Sequence, residues 1–302
     1  MSENVISVLG GTGAQGGGVV DALLAAGSYK VRVATRNPSS DAANALRARG
    51  VEVVKADMLE PSSLKGLYEG AHGAFVVSNF WDPVQGEREE ELAVRAVNIA
   101  RSAGVKHLVW STLPDVKTIS GGRFEVKHFT LKARVDAVVR SAGFDRHTFV
   151  EAPFYFQNLL KPLAPQPLPD GGRGWAVPMD PAARVIHAGD ITDLGRTVAA
   201  AFGAGDALAN GSYLAVCGGT YSWDDFVATF RALGHDVRVV RVAPEVYDGF
   251  FPNAKEAREM FQYFEAYSYF GPEAAANIAA AKALVPSGFA TFSDWARKNI
   301  ND

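Results

Sequence analysis

A doubly wound α/β fold, with one parallel sheet covered by helices on both faces, is the fold class that the sequence predicts. Up to Val150, short β-branched runs alternate with longer helical patterns, which is the arrangement of repeated βαβ units. A glycine-rich turn separates the first predicted strand from the first predicted helix, as in parallel sheets of the Rossmann type. The chain has 302 residues, 48% hydrophobic and 21% charged, so it is long and apolar enough to bury a core.

The predicted elements alternate regularly in the first half of the chain. Six strands are expected at residues 5–9, 31–35, 52–55, 73–78, 107–111 and 147–150. Five helices are expected between them, at residues 15–26, 41–49, 61–68, 86–103 and 124–141. Pro61 suits a first helical turn, and Gly50, Gly104 and Gly143 stand where a helix end favours a left-handed residue. Right-handed crossovers between these strands lead to the doubly wound arrangement.

The second half of the chain is less regular. Pro and Gly accumulate after the sixth strand, before further elements that we expect at residues 190–195, 212–216, 222–233, 236–242 and 254–269. We therefore predict a first domain over 1–153, built on the parallel sheet, to which a segment near 186–217 returns. A smaller mixed α/β lobe is predicted over 154–302.

Composition and charge exclude several classes of protein. A formal net charge of −3 gives no basic footprint, so direct binding to nucleic acid is not expected. The single Cys217 allows no internal disulfide and is typical of a reducing compartment. Without a signal-type segment or a long apolar stretch, the sequence predicts a soluble protein of the cytoplasm, with the nucleus as the other compartment, and no membrane contact. The histidines show no ligand spacing, so no metal is expected.

The strongest motif is the glycine-rich turn after the first strand. It consists of Gly10, Gly11, Thr12, Gly13, Ala14, Gln15 and Gly16. Glycines allow a tight turn and let backbone N–H groups approach a diphosphate, whose charge is stabilised at the helix N-terminus. Because a strand precedes this turn and an apolar helix follows it, the motif predicts dinucleotide binding rather than a plain glycine-rich turn.

The choice of dinucleotide is read at the end of the second strand, where an acidic residue favours the ribose hydroxyls of NAD. This chain has Thr35, Arg36 and Asn37 at that position, with no carboxylate. Arg36 lies 20 positions after Gly16, and its planar guanidinium suits a 2′-phosphate. NADP(H) is therefore predicted over NAD(H). The alternative is that Arg36 is a solvated surface residue.

Further polar residues follow the next strands and should reach the same crevice, because ligands of open α/β sheets bind at the carboxyl ends of the strands. The residues expected to contact the adenine and the ribose are Asp57, Met58, Ser78, Asn79 and Phe80. Turn formation is the alternative for Asp57 and Asn79. Phe80 and its neighbour Trp81 could equally be core or interface aromatics.

Several of these segments together resemble the NmrA-like family of atypical short-chain dehydrogenases/reductases, particularly its NADPH-sensing members. The resemblance rests on residues 10–20, 31–38, 79–82, 128–132 and 153–160, and it extends over nearly the whole chain. It implies a Rossmann domain, a smaller C-terminal lobe and NADP(H) in the cleft between them.

The catalytic positions depart from the pattern of the parent superfamily, which uses Tyr-x-x-x-Lys on a long helix and a Ser at the end of strand five. Here Ser111 ends the strand, Lys132 occupies the lysine position and His128 stands in place of the tyrosine. The resemblance implies that Lys132 and Ser111 contact the cofactor. For His128, proton transfer and a purely supporting role both stay open, since histidine can act as an acid or base near neutral pH.

The resemblance also implies that Pro153, Tyr155 and Asn158 line the nicotinamide side of the cleft. Tyr155 is either a substitute hydroxyl or, as we favour, a packed aromatic. The aromatic stretch 260–264 is expected to pack inside the small lobe, with a partner-facing helix as the alternative.

The leading functional hypothesis is an NADP(H)-binding sensor. It would read the NADPH/NADP+ state and pass it to a protein partner through a changed surface or oligomer. An NADPH-dependent reductase of a small carbonyl, quinone or enone is the alternative, with Lys132 and His128 handling the proton. A scaffold that binds the dinucleotide only for stability is the third possibility.

Overall fold

The computed structural model describes residues 4–168 and 171–300, and in this part of the chain a seven-stranded sheet forms the centre. Its strands are β1 (Val5–Val8), β2 (Lys30–Thr35), β3 (Glu52–Lys55), β4 (Gly73–Val76), β5 (His107–Thr112), β6 (Arg146–Glu151) and β11 (Tyr213–Ala215). They lie in the order β11-β6-β5-β4-β1-β2-β3, and every neighbouring pair is parallel. The predicted doubly wound sheet is confirmed. Because the strand order reverses between β1 and β4, a crevice opens at their carboxyl ends.

Helices cover this sheet and build most of the C-terminal part. They are α1 (Ala14–Ala26), α2 (Asp41–Ala48), α3 (Pro61–Tyr68), α4 (Glu89–Ser102), α5 (Val116–Ile119), α6 (Lys127–Ser141), α7 (Ile191–Gly203), α8 (Trp223–Ala232), α9 (Pro244–Tyr247), α10 (Ala254–Tyr267), α11 (Ala274–Leu284) and α12 (Phe292–Asn299). In the two described ranges, none of them combines the length and the apolar character needed to cross a membrane.

Two predicted helices begin later than expected. The predicted helix over 86–103 starts with a separate 3-10 turn, Gly86–Arg88, before α4. The predicted helix over 124–141 begins only at Lys127, as α6. The side chains of Phe124 and Val126 are buried in the core, and the N–H of Glu125 donates to a carboxylate of another helix. In the second case tertiary contacts, which periodicity does not report, decide the helix start.

Two hydrophobic cores form on the two faces of the large sheet, and strand alternation distributes the side chains between them. Along β4, Phe75 joins one core, whereas Ala74 and Val76 join the other. Along β5, Val109 and Trp110 divide in the same way. The sheet is therefore buried on both faces, as a parallel sheet requires.

The chain returns to the large sheet after it has begun the small lobe. Helix α7 packs against α1, and β11 adds a parallel strand beside β6. A Cβ on Gly195 of α7 would lie 2.1 Å from the Gly18 carbonyl oxygen of α1. The two helices therefore approach so closely that only a glycine fits at this crossing.

Two small three-stranded sheets lie outside the large one. Their strands are β7 (Phe154–Tyr155), β8 (Gln166–Pro167), β9 (Arg173–Val177), β10 (Ile186–Gly189), β12 (Gly219–Tyr221) and β13 (Arg238–Arg241). They lie in the orders β12-β10-β7 and β13-β9-β8, each with one parallel and one antiparallel pair. In α10, Phe261, Tyr263 and Phe264 are buried, so the expected packing of the aromatic stretch is confirmed.

Candidate functional site

The glycine-rich turn lies where β1 meets α1, at the centre of the crevice. Gly10 is left-handed, with φ +76°, and its carbonyl oxygen accepts a hydrogen bond of 2.9 Å from the Gly13 N–H. A Cβ on Gly16 would lie 2.2 Å from that same carbonyl oxygen, so only glycine allows the helix to begin this close to the turn. The first turn of α1 carries no carboxylate. Its N–H groups and the helix dipole therefore suit a diphosphate.

The end of β2 presents Arg36 at the protein surface. The Thr35 Oγ1 accepts a hydrogen bond of 3.2 Å from the Asn37 N–H, and the Asn37 Oδ1 accepts one from Ser39, so Thr35 and Asn37 shape the turn. Arg36 is 63% exposed and its Nη1 lies 3.1 Å from the Asp82 Oδ2, across the crevice mouth. The predicted position of Arg36 is thus accessible to a phosphate, although a carboxylate already contacts it.

The residues after β3 and β4 take part in local turns. The Asp57 Oδ1 accepts a 3.0 Å bond from the Leu59 N–H, and the Asn79 Oδ1 accepts a 3.1 Å bond from the Trp81 N–H. Asp57 and Asn79 therefore take part in turn formation, and their contact with a cofactor stays a prediction. Met58 is buried in one of the two cores, and its contact with a cofactor stays a prediction.

Lys132 is buried and bound by the protein itself. Its Nζ donates to the Ser78 carbonyl oxygen at 2.8 Å, to the Ser78 Oγ at 2.9 Å and to the Glu89 Oε1 at 2.7 Å. The Lys132 and Glu89 side chains are 9% and 1% exposed. Within the described part of the chain, the other oxygen, Glu89 Oε2, has no hydrogen-bond partner. Lys132 therefore holds the start of the loop after β4 to α4.

Sequence reasoning missed Glu89, because it lies in a charged run that suggests a solvated helix start. The spacing of the apolar residues along α4 could have identified it. Glu89 shares the spacing i, i+3, i+4 and i+7 with Leu92, Ala93 and Ala96, all of which are buried on the inner face of α4.

His128 is held by the small lobe. Its Nδ1 lies 2.7 Å from the Glu256 Oε1 of α10, and its backbone N–H donates to the same oxygen at 3.1 Å. The ring also lies against Phe80 and Trp81, with centroids 5.8 and 5.0 Å apart. Because the Glu256 Oε1 is a hydrogen-bond acceptor, this contact favours the tautomer of His128 in which Nδ1 carries the proton. His128 thus joins the helix of Lys132 to the small lobe.

Helix α6 takes its N-terminal cap from α10. Val126, at the N-cap position, has no polar side-chain atom, whereas the Glu259 Oε2 accepts the Glu125 N–H at 2.7 Å and Glu256 accepts that of His128. Carboxylates stabilise a helix N-terminus both by hydrogen bonding and through the dipole. The position of α10 therefore affects the stability of the helix that carries Lys132.

A chain of side-chain hydrogen bonds crosses the crevice beside the glycine-rich turn. The Ser111 Oγ donates to the Gln15 Oε1 at 2.7 Å, and the Gln15 Nε2 donates to the Tyr155 hydroxyl oxygen at 2.7 Å. Burial raises the pKa of Tyr155, so the phenol stays protonated. Because its oxygen accepts from Gln15, its own O–H proton is available to another acceptor. Tyr155 thus places its hydroxyl group at the crevice, and its backbone belongs to β7 of the small lobe.

Two further predicted residues lie next to this chain. Pro153 is buried between β6 and β7, and Asn158 is half-buried in the 3-10 turn Phe156–Leu159. The Asn158 carbonyl oxygen accepts the Leu163 N–H at 2.7 Å. Across residues 4–168 and 171–300, no group of three or more His, Cys, Asp or Glu side chains could hold a metal ion.

Comparison with known proteins decides the family. The model of the NmrA-like family matches residues 2–296. The chain belongs to the NmrA-like family. The resemblance inferred from the glycine-rich turn and the segments after it is thereby confirmed.

Some curated NmrA-like relatives match about half of this chain, and another matches most of it. The NmrA-like family domain-containing oxidoreductase FrzB of a Cladobotryum species is 37% identical over 161 residues, which are 52% of this chain and 48% of FrzB. The corresponding oxidoreductase cpsB of Aspergillus campestris is 28% identical over 296 residues, or 90% of this chain and 86% of cpsB. With relatives such as FrzB, the match spans about half of their length.

Solved NmrA-like structures match nearly the whole chain. The crystal structure of NmrA, a negative transcriptional regulator, in complex with NADP has a TM-score of 0.81 and 25% identity, and covers 99% of this chain and 96% of NmrA. A complex of NmrA with NAD has a TM-score of 0.82. The NADPH-dependent quinone oxidoreductase QOR2 of Escherichia coli shares the fold, with a TM-score of 0.78 at 17% identity over 98% of this chain and all of QOR2.

In this NmrA-like chain, α6 carries another buried polar residue, Asp136, one turn beyond Lys132. Its carboxylate accepts from the Thr112 Oγ1 at 2.8 Å and from the Tyr213 hydroxyl at 2.6 Å. Burial raises the pKa of Asp136 from 3.8 to about 7. Folding therefore favours the protonated carboxyl, and this contribution to stability, complete below the unfolded pKa, is lost as the pH rises through 7.

We expect the substitution Asp136→Asn to remove this dependence. The unfolding free energy of the variant minus that of wild type should rise by about 1.4 kcal/mol from about pH 6 to about pH 8. Urea unfolding of both proteins across this range measures the difference. The pKa values of His107 and His187 are lowered by burial, but both proteins contain these residues and their contributions cancel. A difference that does not change with pH would contradict the assignment.

Proposed function

We propose that this protein binds NADP(H) in the crevice at the carboxyl ends of β1, β2, β4, β5 and β6, and acts as a regulator that responds to the redox state of the dinucleotide. The observation that carries the proposal is that both polar side chains at the expected catalytic positions of α6 are held by carboxylates. His128 is bound by Glu256, and Lys132 by Glu89. Neither is placed as an unpaired proton donor toward a substrate.

The described residues fit the dinucleotide. A Cβ on Gly16 would clash with the Gly10 carbonyl oxygen, so glycine keeps the turn tight and its N–H groups at the α1 N-terminus, where a diphosphate would bind. Arg36 would hold the 2′-phosphate, and Asp57, Asn79 and Phe80 would flank the adenosine. The nicotinamide end would lie beside Ser111, Pro153, Tyr155 and Asn158. When bound, NADPH supplies a hydride at this end.

A response to redox state needs contacts that differ between the two forms and a connection to the rest of the molecule. The hydrogen-bonded chain Ser111, Gln15 and Tyr155 lies at the nicotinamide end, where the ring is charged only in NADP+. Tyr155 belongs to β7, which pairs with β10 of the small lobe. A change at the nicotinamide would therefore reach the small lobe through β7, and from there the surface offered to a protein partner.

Titration calorimetry with NADPH, NADP+, NADH and NAD+ tests this function. We expect tighter binding of the phosphorylated forms and a clear difference between NADPH and NADP+. Since a ligand pair with equal affinities shifts no population, equal binding of NADPH and NADP+ would refute redox sensing. The whole-chain similarity to NmrA, a transcriptional regulator bound to NADP, supports the regulatory assignment.

A reductase is the second candidate, and the Tyr155 hydroxyl favours it. This phenol stays protonated and lies one side chain from the glycine-rich turn, so it could protonate a reduced carbonyl or quinone. The oxidoreductase names of FrzB and cpsB point in the same direction. NADPH consumption with a panel of quinones and enones, lost in a Tyr155→Phe variant that still binds NADPH, would establish this activity.

We expect the substitution Arg36→Ala to weaken NADP+ binding about tenfold or more, because charged hydrogen bonds to a phosphate are lost. NAD+ has no 2′-phosphate, so its affinity should change by no more than about twofold. Calorimetry on wild type and variant measures both. An equal loss for the two dinucleotides would show that Arg36 shapes the turn instead of contacting the phosphate.

A further inference from the structure

Asp82 contacts the arginine that we assign to the 2′-phosphate. Its Oδ2 lies 3.1 Å from the Arg36 Nη1, while its Oδ1 accepts the N–H groups of Val84 and Gln85 at 3.0 and 3.2 Å. The Asp82 side chain is only 11% exposed. The hydrogen bond from Val84 above all, and those from Gln85 and Arg36, lower the pKa of Asp82. An ionised, oriented carboxylate thus already lies at the predicted phosphate site.

The loop that carries Asp82 has an unusual outer surface. Trp81 and Val84 are 62% and 64% exposed, the two largest exposures among the large apolar side chains of the described residues. The inner side of the loop reaches α6, because the rings of Phe80 and Trp81 lie against His128. Residues 79–85, which we call the Asp82 loop, therefore connect the end of β2 to the residue that joins α6 and α10.

We infer that Asp82 competes with the 2′-phosphate for Arg36, so that NADP(H), and not NAD(H), displaces the Asp82 loop. The inference rests on the proposed function and deepens it, since it assigns a second signal to the same site. A 2′-phosphate brings up to two negative charges to a guanidinium that already faces a carboxylate. The two anions repel each other, and an ion pair with an arginine this exposed is weak enough to be displaced.

Displacement has two consequences. First, Asp82 lowers the affinity for NADP(H) and leaves that for NAD(H) unchanged, so it limits the discrimination that Arg36 provides. Second, movement of the loop shifts Trp81 and Val84 at the surface and alters the packing of Trp81 on His128. The protein would then respond to the phosphate at one end of the dinucleotide and to the redox state at the other.

The substitution Asp82→Asn tests the competition. Asparagine keeps the Oδ1 acceptor for Val84 and Gln85 and removes the charge. We expect NADP+ to bind about fivefold more tightly, the effect typical of an exposed ion pair, with NAD+ unchanged. In an Arg36→Ala background the same substitution should have a smaller effect on NADP+ binding and none on NAD+ binding.

Asp21→Asn is the matched control. Asp21 lies on α1, outside the crevice, and its Oδ1 is 2.6 Å from the Nη2 of Arg49 at the protein surface. The substitution removes the same charge from this ion pair. The ratio of the NAD+ and NADP+ dissociation constants should stay at the wild-type value. A wild-type protein that binds neither dinucleotide would overturn the proposed function itself. Binding of both with an unchanged ratio in Asp82→Asn, or with weaker NADP+ binding, would overturn only the competition by Asp82.

Tryptophan fluorescence tests the movement of the loop. The signal of Trp81 is obtained by subtracting the emission of a Trp81→Phe variant, since the chain has 5 tryptophans. We expect saturating NADP+ to change this difference signal and saturating NAD+ to leave it unchanged. The same change with both ligands would show that the loop does not respond to the 2′-phosphate.

Discussion

Dinucleotide binding should be strongly weakened when Gly16 is replaced by alanine. The added Cβ would lie 2.2 Å from the Gly10 oxygen and 2.8 Å from the Gly11 Cα, both of which are backbone atoms that define the turn. Either the turn or the start of α1 must move, which displaces the N–H groups from the diphosphate. We expect a loss of about 2 to 3 kcal/mol in binding, about 100-fold in Kd, for NADP+ and NAD+ alike.

The neighbouring substitution Gly17→Ala is the control for this experiment. A Cβ at Gly17 meets only the Gly11 oxygen, at 3.8 Å, which is an ordinary contact. Because alanine favours a helix interior over glycine, this variant should gain up to about 1 kcal/mol of unfolding free energy and still bind NADP+. Calorimetry and thermal unfolding of the two variants separate the steric effect from helix propensity. Unimpaired binding by Gly16→Ala would exclude the turn as the diphosphate site.

Replacing Lys132 by methionine should have the largest effect on stability. The substitution leaves Glu89 buried without its cation, and removal of one partner from a buried ion pair costs about 3–5 kcal/mol. It also removes the donor that binds the Ser78 carbonyl oxygen, so the loop after β4 loses its attachment. Urea unfolding of wild type and variant measures the loss.

A double variant distinguishes an unpaired charge from lost packing. In Lys132→Met with Glu89→Leu, both charges are gone, and well-packed apolar pairs are often as stable as the buried ion pairs they replace. We expect the double variant to recover more than half of the stability lost by Lys132→Met. If the two losses simply add, the ion pair between Lys132 and Glu89 is not the source of the effect.

Local sequence patterns predicted the strands of the large sheet well, because the formation of each strand depends mainly on residues that are close to it in the sequence. Strand β3 and helix α3 have the predicted bounds, and the left-handed glycines Gly50, Gly104 and Gly143 lie at helix ends. Among the strands of two to five residues in the small sheets, only β13 was predicted, over residues 236–242, since so few residues show little periodicity. Helices α11 and α12 also lacked specific predictions.

The candidate site shows the same limit. The glycine-rich turn and Arg36 could be singled out because the function that we propose for them depends on residues that are close in sequence. The partner of His128 is Glu256, 128 positions away, and no local pattern reports such a contact. Gln15 was predicted only as part of the turn, whereas its side chain joins β5 to β7 through Ser111 and Tyr155. Contacts of this kind appear only when the chain is folded.

The return of the chain to the close crossing of α1 and α7, at Gly18 and Gly195, divides the small lobe into two chain segments, one before α7 and one after β11. The polypeptide leaves the large sheet after β6, builds part of the lobe, and comes back to add α7 and β11 before it leaves again. A chimaera joined at a single junction near residue 153 would take both elements from the other parent. The face of α1 and the edge of β6 would then pack against residues of that parent. Exchange of the small lobe between relatives, in the laboratory or in evolution, therefore requires more than one junction.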